Sequence, residues 1–296
     1  MSLTDAFLDY LKAERNKSDR TVTLYGDALA DFKMFYEGLG EGWDWNTVTS
    51  DVVREWVVYL LDNKEMKAST VNLNLSALRT FYHYLKRLGK IKQNPMARVV
   101  GPKKDKALPV FVKDGDMDRL LDEEKFDDSF SGVLERTVLL TLYLTGMRRA
   151  ELVGLEDKDI DFTSSQLKVT GKRNKQRLVP FGNELETSLR EYIELRDETF
   201  PERTTKKLFV SKKGVAITAE KVYQIVHNNL SRVTTLQKRS PHVLRHSFAT
   251  TMLNHDADLM SIQKLLGHAN LQTTEVYTHL SFEELKKAYK DAHPRS

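Results

Sequence analysis

Apolar residues return at helical intervals through the first hundred positions of the chain. Leu24, Tyr25, Ala28, Leu29, Phe32, Phe35 and Tyr36 form one stripe, the spacing of an amphipathic helix. Val71, Leu75, Leu78, Phe81, Tyr82, Leu85 and Leu88 form a second, which stops at Gly89. Phe7, Leu8 and Leu11 begin a shorter helix, and Val52 to Leu61 supply another between the two long ones. Four amphipathic helices of this size predict a small bundle over residues 1–98. The segment NPMARVVGPKKDKALP follows, with Pro95, Pro102 and Pro109 spaced through it. Residues 99–112 therefore read as a linker.

A second domain is expected over 113–296. DGDMDRLLDEEKFDD reads as a capped acidic helix, and VLERTVLLTLYLTG as a helix buried on all sides. The run QLKVTGKRNKQRLVP instead alternates apolar and basic residues around Gly171 and Asn174, the pattern of a β-hairpin. Helical periodicity returns over 183–198, 218–233, 241–254, 258–266 and 273–291. The predicted fold class is mostly α with a small β-sheet, in two domains.

Composition narrows the class. The 296 residues include no Cys, which excludes disulfides, thiolate metal sites and cysteine nucleophiles. No stretch approaches the roughly 20 continuous apolar residues of a membrane span. MSLTDAFLDYLKAERN carries Asp5 and Asp9 and lacks a signal-peptide core, so a cytoplasmic protein is expected. The net charge of +4 is unevenly placed: nine basic residues face one acid between 86 and 113, among them Lys103, Lys104 and Lys106. A stripe of this kind suits a polyanion, and equally suits a solvated linker.

Five of the eight histidines lie between 242 and 279. His242 and His246 have the i, i+4 spacing of a zinc pair. Arg245 shares their helical face, however, and a cation beside a cationic metal is costly. An anion suits the residues better. His242 and Arg245 are three apart, so their side chains meet in one patch. Arg148 follows Gly146 in TGMRRAEL, and Lys172 stands at the hairpin tip. With His268 of LLGHAN, these groups would suit a phosphate.

Taken in order, Arg148, Lys172, His242, Arg245, His268 and Tyr277 fill every position of the active-site pattern of the tyrosine recombinases. The motifs TGMRRAEL, GKRNKQRLVP, SPHVLRHSFATTML, LLGHAN and VYTHL resemble that family across the whole second domain. The helical first domain, basic linker and short tail are similar to its Xer-type members. The resemblance implies an N-terminal SAM-like, core-binding bundle joined to an α+β catalytic domain, the two closing on DNA as a C-shaped clamp.

It also implies roles. Tyr277 is the nucleophile, giving a 3′-phosphotyrosine; Arg148 and Arg245 hold the non-bridging oxygens. His242 accepts the phenol proton, Lys172 donates one to the leaving 5′-oxygen, and His268 bonds the scissile phosphate. Glu151 orients Arg148. Lys103, Lys104, Lys106, Lys168, Arg173, Lys175 and Arg177 are expected phosphate contacts. Neither a metal nor any other cofactor is needed. The expected partner is duplex DNA carrying a near-palindromic site, held by a tetramer through a Holliday junction. The tetramer is of this chain alone or of this chain with a second recombinase, and a DNA translocase is a possible activator; no membrane is involved. The tail SFEELKKAYKDAHPRS, with Phe282, Leu285 and Tyr289 on one face, is expected to dock on a neighbouring protomer. His246, His255, His279 and Tyr289 read as structural.

Chromosome or plasmid dimer resolution is the leading role. Integration or excision of a phage or conjugative element is its rival, and a catalytically silent DNA-binding protein a remoter one. A type IB topoisomerase would relax site-free plasmid, and a metal-dependent nuclease would stop in EDTA.

Overall fold

A computed structural model describes residues 2–40, 42–103, 110–123, 126–171, 174–267 and 282–295. The chain divides into two compact units at Ala107 and Leu108. This division falls inside the stretch expected to link the domains. Both flanks of that stretch are pinned. Arg79 donates to the Val99 carbonyl and Asn72 to that of Pro102, while the Val112 amide donates to Ser247 Oγ.

The first unit is the expected helical bundle: α1 (Leu3–Ala13), α2 (Asp19–Glu37), α3 (Ser50–Asp62) and α4 (Ala68–Arg87), followed by a 3-10 turn at Pro95–Arg98. Side-chain oxygens open three of the helices. Ser2, Ser18 and Thr49 each accept from a backbone amide three residues on, a cap that stabilises by about 1 kcal/mol. Phe7, Phe32, Trp56, Val71, Leu75, Leu78, Phe81 and Leu85 are fully buried in one core. The periodicity missed part of this core, because Trp43 and Trp45 enter it from the α2–α3 loop. Trp45 meets Phe81 edge-on with ring centroids 4.5 Å apart, and Phe32 meets Trp56 at 5.0 Å. Leu24 and Leu88, at the two ends of the predicted stripes, are instead exposed.

In the second unit the expected acidic helix is short. It comprises α5 (Asp114–Asp118) with a wider turn over Arg119–Glu123, and its N-cap, Lys113, makes no side-chain cap. The following helix, α6 (Phe130–Thr145), is the spine of the unit. Gly132, Val133, Leu134 and all of Thr137–Thr145 are buried, as an all-round apolar helix requires. Then come α7 (Arg149–Gly154), β1 (Ile160–Asp161), β2 (Gln166–Thr170), β3 (Gln176–Pro180), α8 (Asn183–Thr199), α9 (Ala219–Val233), α10 (Pro241–Asn254), α11 (Leu259–Leu266) and α12 (Phe282–Ala292). Helices α8, α9 and α10 pack on α6.

The sheet is antiparallel in the order β1-β2-β3. The hairpin was legible from its alternation. The two-residue β1 was not, being too short to show a period. In β2 and β3, Lys168 pairs with Leu178 and Val169 with Arg177.

The C-terminal helix, α12, packs within its own unit here: Leu285, Tyr289 and Ala292 join Phe248, Met252, Ile262, Leu265 and Leu266 in one cluster. His293 lies among Tyr143, Phe248 and Tyr289, with ring centroids 5.3–5.6 Å away. Burial pushes its imidazole down to about 4. Arg295 then bonds Asp118, Asp122 and Glu184 at 2.6–2.9 Å.

Glycine is required where α6 ends. Gly146 has φ +58°, and a Cβ there would lie 2.5 Å from Phe248 Cδ1 and 2.7 Å from Leu266 Cδ2. Gly146→Ala is expected to destabilise by about 2–4 kcal/mol, combining left-handed strain with overpacking. Urea unfolding followed by circular dichroism measures this; an unchanged midpoint would contradict it.

Candidate functional site

The left-handed turn at Gly146 reverses the chain out of α6, so that Arg148 becomes the extended N-cap of α7. Glu151, one turn on, closes a capping arrangement of an unusual kind. Its Oε2 accepts from the Arg148 amide at 2.8 Å, and its Oε1 from Arg148 Nη1 at 2.8 Å. One carboxylate thereby fixes both the backbone and the guanidinium of Arg148. Arg149 turns the other way and donates to the Ala219 carbonyl.

Helix α10 brings the second arginine. Pro at its first turn follows Ser240, and His242 and Arg245 sit one turn apart behind it. Arg245 is 8% exposed. Its Nη1 donates to the Gly146 carbonyl and its Nη2 to the Leu266 carbonyl, both at 2.7 Å. Burial, with the Arg148 charge beside it, pulls its pKa down to about 10, which leaves the guanidinium charged near neutrality.

His242 is more than a third exposed as a residue, yet its ring is partly desolvated. That desolvation lowers its pKa below the ordinary 6.5, and the charges of Arg245, His246, Arg149 and Arg148 lower it further. The imidazole is therefore neutral at pH 7 and can accept a proton. His246, read above as structural, is exposed on the same helix. His255 closes the helix, its Nδ1 2.9 Å from the Thr251 carbonyl oxygen.

Arg177 also converges here, and not as the phosphate contact expected of it. Its side chain is only 13% exposed, and it donates to Glu151 Oε1 at 3.1 Å and Oε2 at 2.8 Å. Its Nε donates to the Leu265 carbonyl at 2.6 Å. The signal for this was in the sequence. Arg177 lies two residues before buried Val179 and opposite buried Val169, so strand alternation turns it inward.

Burial alone would raise the Glu151 pKa. Hydrogen bonds and charge from Arg177, with the bonds from Arg148, outweigh it and hold the carboxyl below its ordinary 4.5.

Thus the described residues bring together Arg148, Glu151, His242 and Arg245 of the expected set. Lys172, His268 and Tyr277 lie outside the described residues, as do Lys104, Lys106 and Arg173. Their chain neighbours border the site: Gly171 packs against Glu151, and the Gly267 carbonyl accepts from Arg148 Nη2 at 3.3 Å. Lys103 and Lys175 are exposed; Lys168 stands 3.9 Å from Asp159.

Two guanidiniums, a neutral imidazole and a bracing carboxylate, set between the ends of α6, α10 and α11, can grip an oxyanion and take up a proton. Residues 111–284 match the phage integrase family, and residues 4–89 match the phage integrase N-terminal SAM-like domain. The chain belongs to the phage integrase family, the tyrosine recombinases. Tyrosine recombinase XerC of Staphylococcus aureus strain USA300 is 39% identical over 294 residues, spanning 99% of this chain and 97% of that one. XerC of strain MRSA252 is 40% identical over the same length. Among solved structures, XerA recombinase is 26% identical with a TM-score of 0.50, covering 99% of both chains. The XerH site-specific recombinase bound to difH substrate, a pre-cleavage complex, shares the fold at 23% identity. Its TM-score is 0.71, covering 97% of this chain and 84% of that one.

The carboxylate makes the cluster pH-dependent in one direction. Because the folded pKa of Glu151 is depressed, its stabilisation is complete above about 4.5 and fades as pH falls through the folded value. Glu151→Gln is expected to lose about 3 kcal/mol at pH 7, since it leaves two arginines short of their counter-charge. In urea titrations from pH 7 to pH 3, the gap between wild type and variant should narrow with acid. A constant gap would contradict the assignment.

Proposed function

We propose that this chain is a site-specific tyrosine recombinase that cuts and rejoins duplex DNA. The observation that carries the reading is the convergence of Arg148 and Arg245 on one site with neutral His242, braced by Glu151. A phosphodiester repels nucleophiles by its charge and loses an alkoxide poorly. Guanidiniums on its non-bridging oxygens offset the charge that accumulates as the bond to phosphorus forms. Arg148, 33% exposed, offers the more open of the two grips, and Arg245 the more buried.

Tyr277 is the nucleophile of this reading. Its phenolic oxygen attacks phosphorus, the bond to the 5′-oxygen breaks, and a 3′-phosphotyrosine forms. A phenol with a pKa of ~10 must shed its proton as it attacks, and His242 receives it. Lys172 protonates the departing 5′-oxygen, and His268 bonds the phosphate. The phosphotyrosine conserves the energy of the broken bond, so a 5′-hydroxyl from a second strand reverses the step without any external energy source.

Likeness to XerC over nearly the whole chain supports chromosome or plasmid dimer resolution as the role. Solved neighbours bound to their recombination sites support a near-palindromic duplex as substrate. In this reading four protomers, of this chain alone or with a second recombinase, exchange strands through a Holliday junction, and a DNA translocase activates them. Lys103, Lys104, Lys106, Lys168, Arg173 and Lys175 contact phosphates of the duplex in this reading. No helix among the described residues is long and apolar enough to cross a membrane. In this reading the enzyme works in the cytoplasm, where its DNA substrate lies.

Covalent capture on sheared genomic DNA tests the reading. Wild type is expected to retain DNA through denaturing washes and Tyr277→Phe to retain none, with the fragments mapping to one imperfect palindrome. A site near the replication terminus fits dimer resolution; one at an element's end fits integration instead. Equal recovery from both proteins would sink the mechanism. The rate of adduct formation is expected to fall as pH drops through the pKa of His242, which lies below the ordinary 6.5, where the imidazole gains a proton and can no longer accept one. A rate flat down to pH 5 would remove His242 from that role.

A further inference from the structure

Three consecutive carbonyls end helix α11, and a different arginine takes each. Arg177 Nε donates to Leu265, Arg245 Nη2 to Leu266 and Arg148 Nη2 to Gly267. The last carbonyls of a helix have no partner within it and carry the negative end of its dipole, so cations are their natural caps. The chain continues from Gly267 directly into His268. The end of α11 is therefore the fixed point from which the segment bearing His268 and Tyr277 departs.

Arg148 and Arg245 serve this cap through atoms of guanidiniums that also face the site. Arg177 differs. All three of its guanidinium nitrogens are engaged inside the protein: Nε with Leu265, and Nη1 and Nη2 with the two oxygens of Glu151. Its aliphatic stem and Nη1 also line Gly267, where an added Cβ would come within 3.1–3.2 Å of them. We infer that Arg177 is a positioning residue for strand cleavage, tying the carboxylate that braces Arg148 to the end of the helix that leads to His268 and Tyr277. The inference rests on the recombinase reading above and adds a residue to it.

The geometry accounts for the residue type. Two parallel bonds to a carboxylate and a third to a carbonyl need a planar fork with a side donor, which a lysine ammonium lacks. It also separates positioning from DNA contact. A surface arginine on a phosphate contributes to affinity and to its salt dependence, about one counterion per contact. An arginine 13% exposed, with each of its three nitrogens engaged inside the protein, contributes to neither, and acts on the rate through placement.

The test uses the full chain and a nicked duplex of the captured site, which traps the covalent adduct. Arg177→Met is expected to slow adduct formation at saturating DNA by roughly 10²-fold, the scale of a misplacement near 1 Å. The half-saturating DNA concentration and its salt slope should not change. Arg177→Lys should restore only part of the rate. In a Glu151→Gln background, Arg177→Met should add less than about threefold, because both changes break one linkage. Hydrogen exchange on the DNA-free protein gives a readout independent of any substrate: the Leu265, Leu266 and Gly267 amides should exchange faster in both variants. Wild-type exchange there together with a wild-type adduct rate would overturn the inference. So would a salt slope reduced by about one with the saturated rate intact, which would return Arg177 to the DNA surface. If wild type forms no adduct on any DNA, the recombinase reading fails, while exchange still decides whether Arg177 holds α11. Should Arg177→Met not fold, Arg177→Lys carries both arms.

Discussion

A single carboxylate makes the site possible. Arg148 and Arg177 both bond Glu151, and Arg245 lies close enough for their charges to depress its pKa. Three guanidiniums in a partly dry setting repel one another and lose hydration. Glu151, 5% exposed, supplies negative charge among them, and the carbonyls of Gly146, Leu265, Leu266 and Gly267 supply further acceptors. The carbonyl acceptors sit at the C-terminal ends of α6 and α11, so helix termini rather than regular surfaces build this part of the site. Two left-handed glycines, Gly146 and Gly267, make those ends meet at backbone distance.

This arrangement explains which parts were legible beforehand. Helices α2, α4 and α6 announced themselves through periodicity, because burial of one stripe or of the whole helix is what their residues were chosen for. Arg148, His242 and Arg245 were legible as a set, through motif spacing and family resemblance. Their pairing with carbonyls was not, since backbone acceptors leave no mark in a sequence. Arg177 was misread for a related reason: a basic residue in a basic hairpin looks like surface charge until strand alternation is applied to it. Trp43 and Trp45 escaped because loop aromatics entering a core follow no period.

The tail shows how an amphipathic stripe is legible in a sequence while the surface that accepts it is not. Leu285 and Tyr289 do lie on one face, as their spacing says. What periodicity cannot supply is the surface that accepts them. Among the described residues that surface is a flank of α10 and α11, with His293 among three aromatic rings and Arg295 among Asp118, Asp122 and Glu184. Helix α12 thus packs against α10 and α11, and the arginine cap holds the end of α11.

The central claim is that this arginine cluster presents a phosphodiester to Tyr277. Mass spectrometry of the captured adduct, after nuclease and protease digestion, tests it most directly. The account predicts a residual nucleotide joined through its 3′-phosphate to the peptide containing Tyr277. A nucleotide on any other residue, or one joined through its 5′-phosphate, would contradict it.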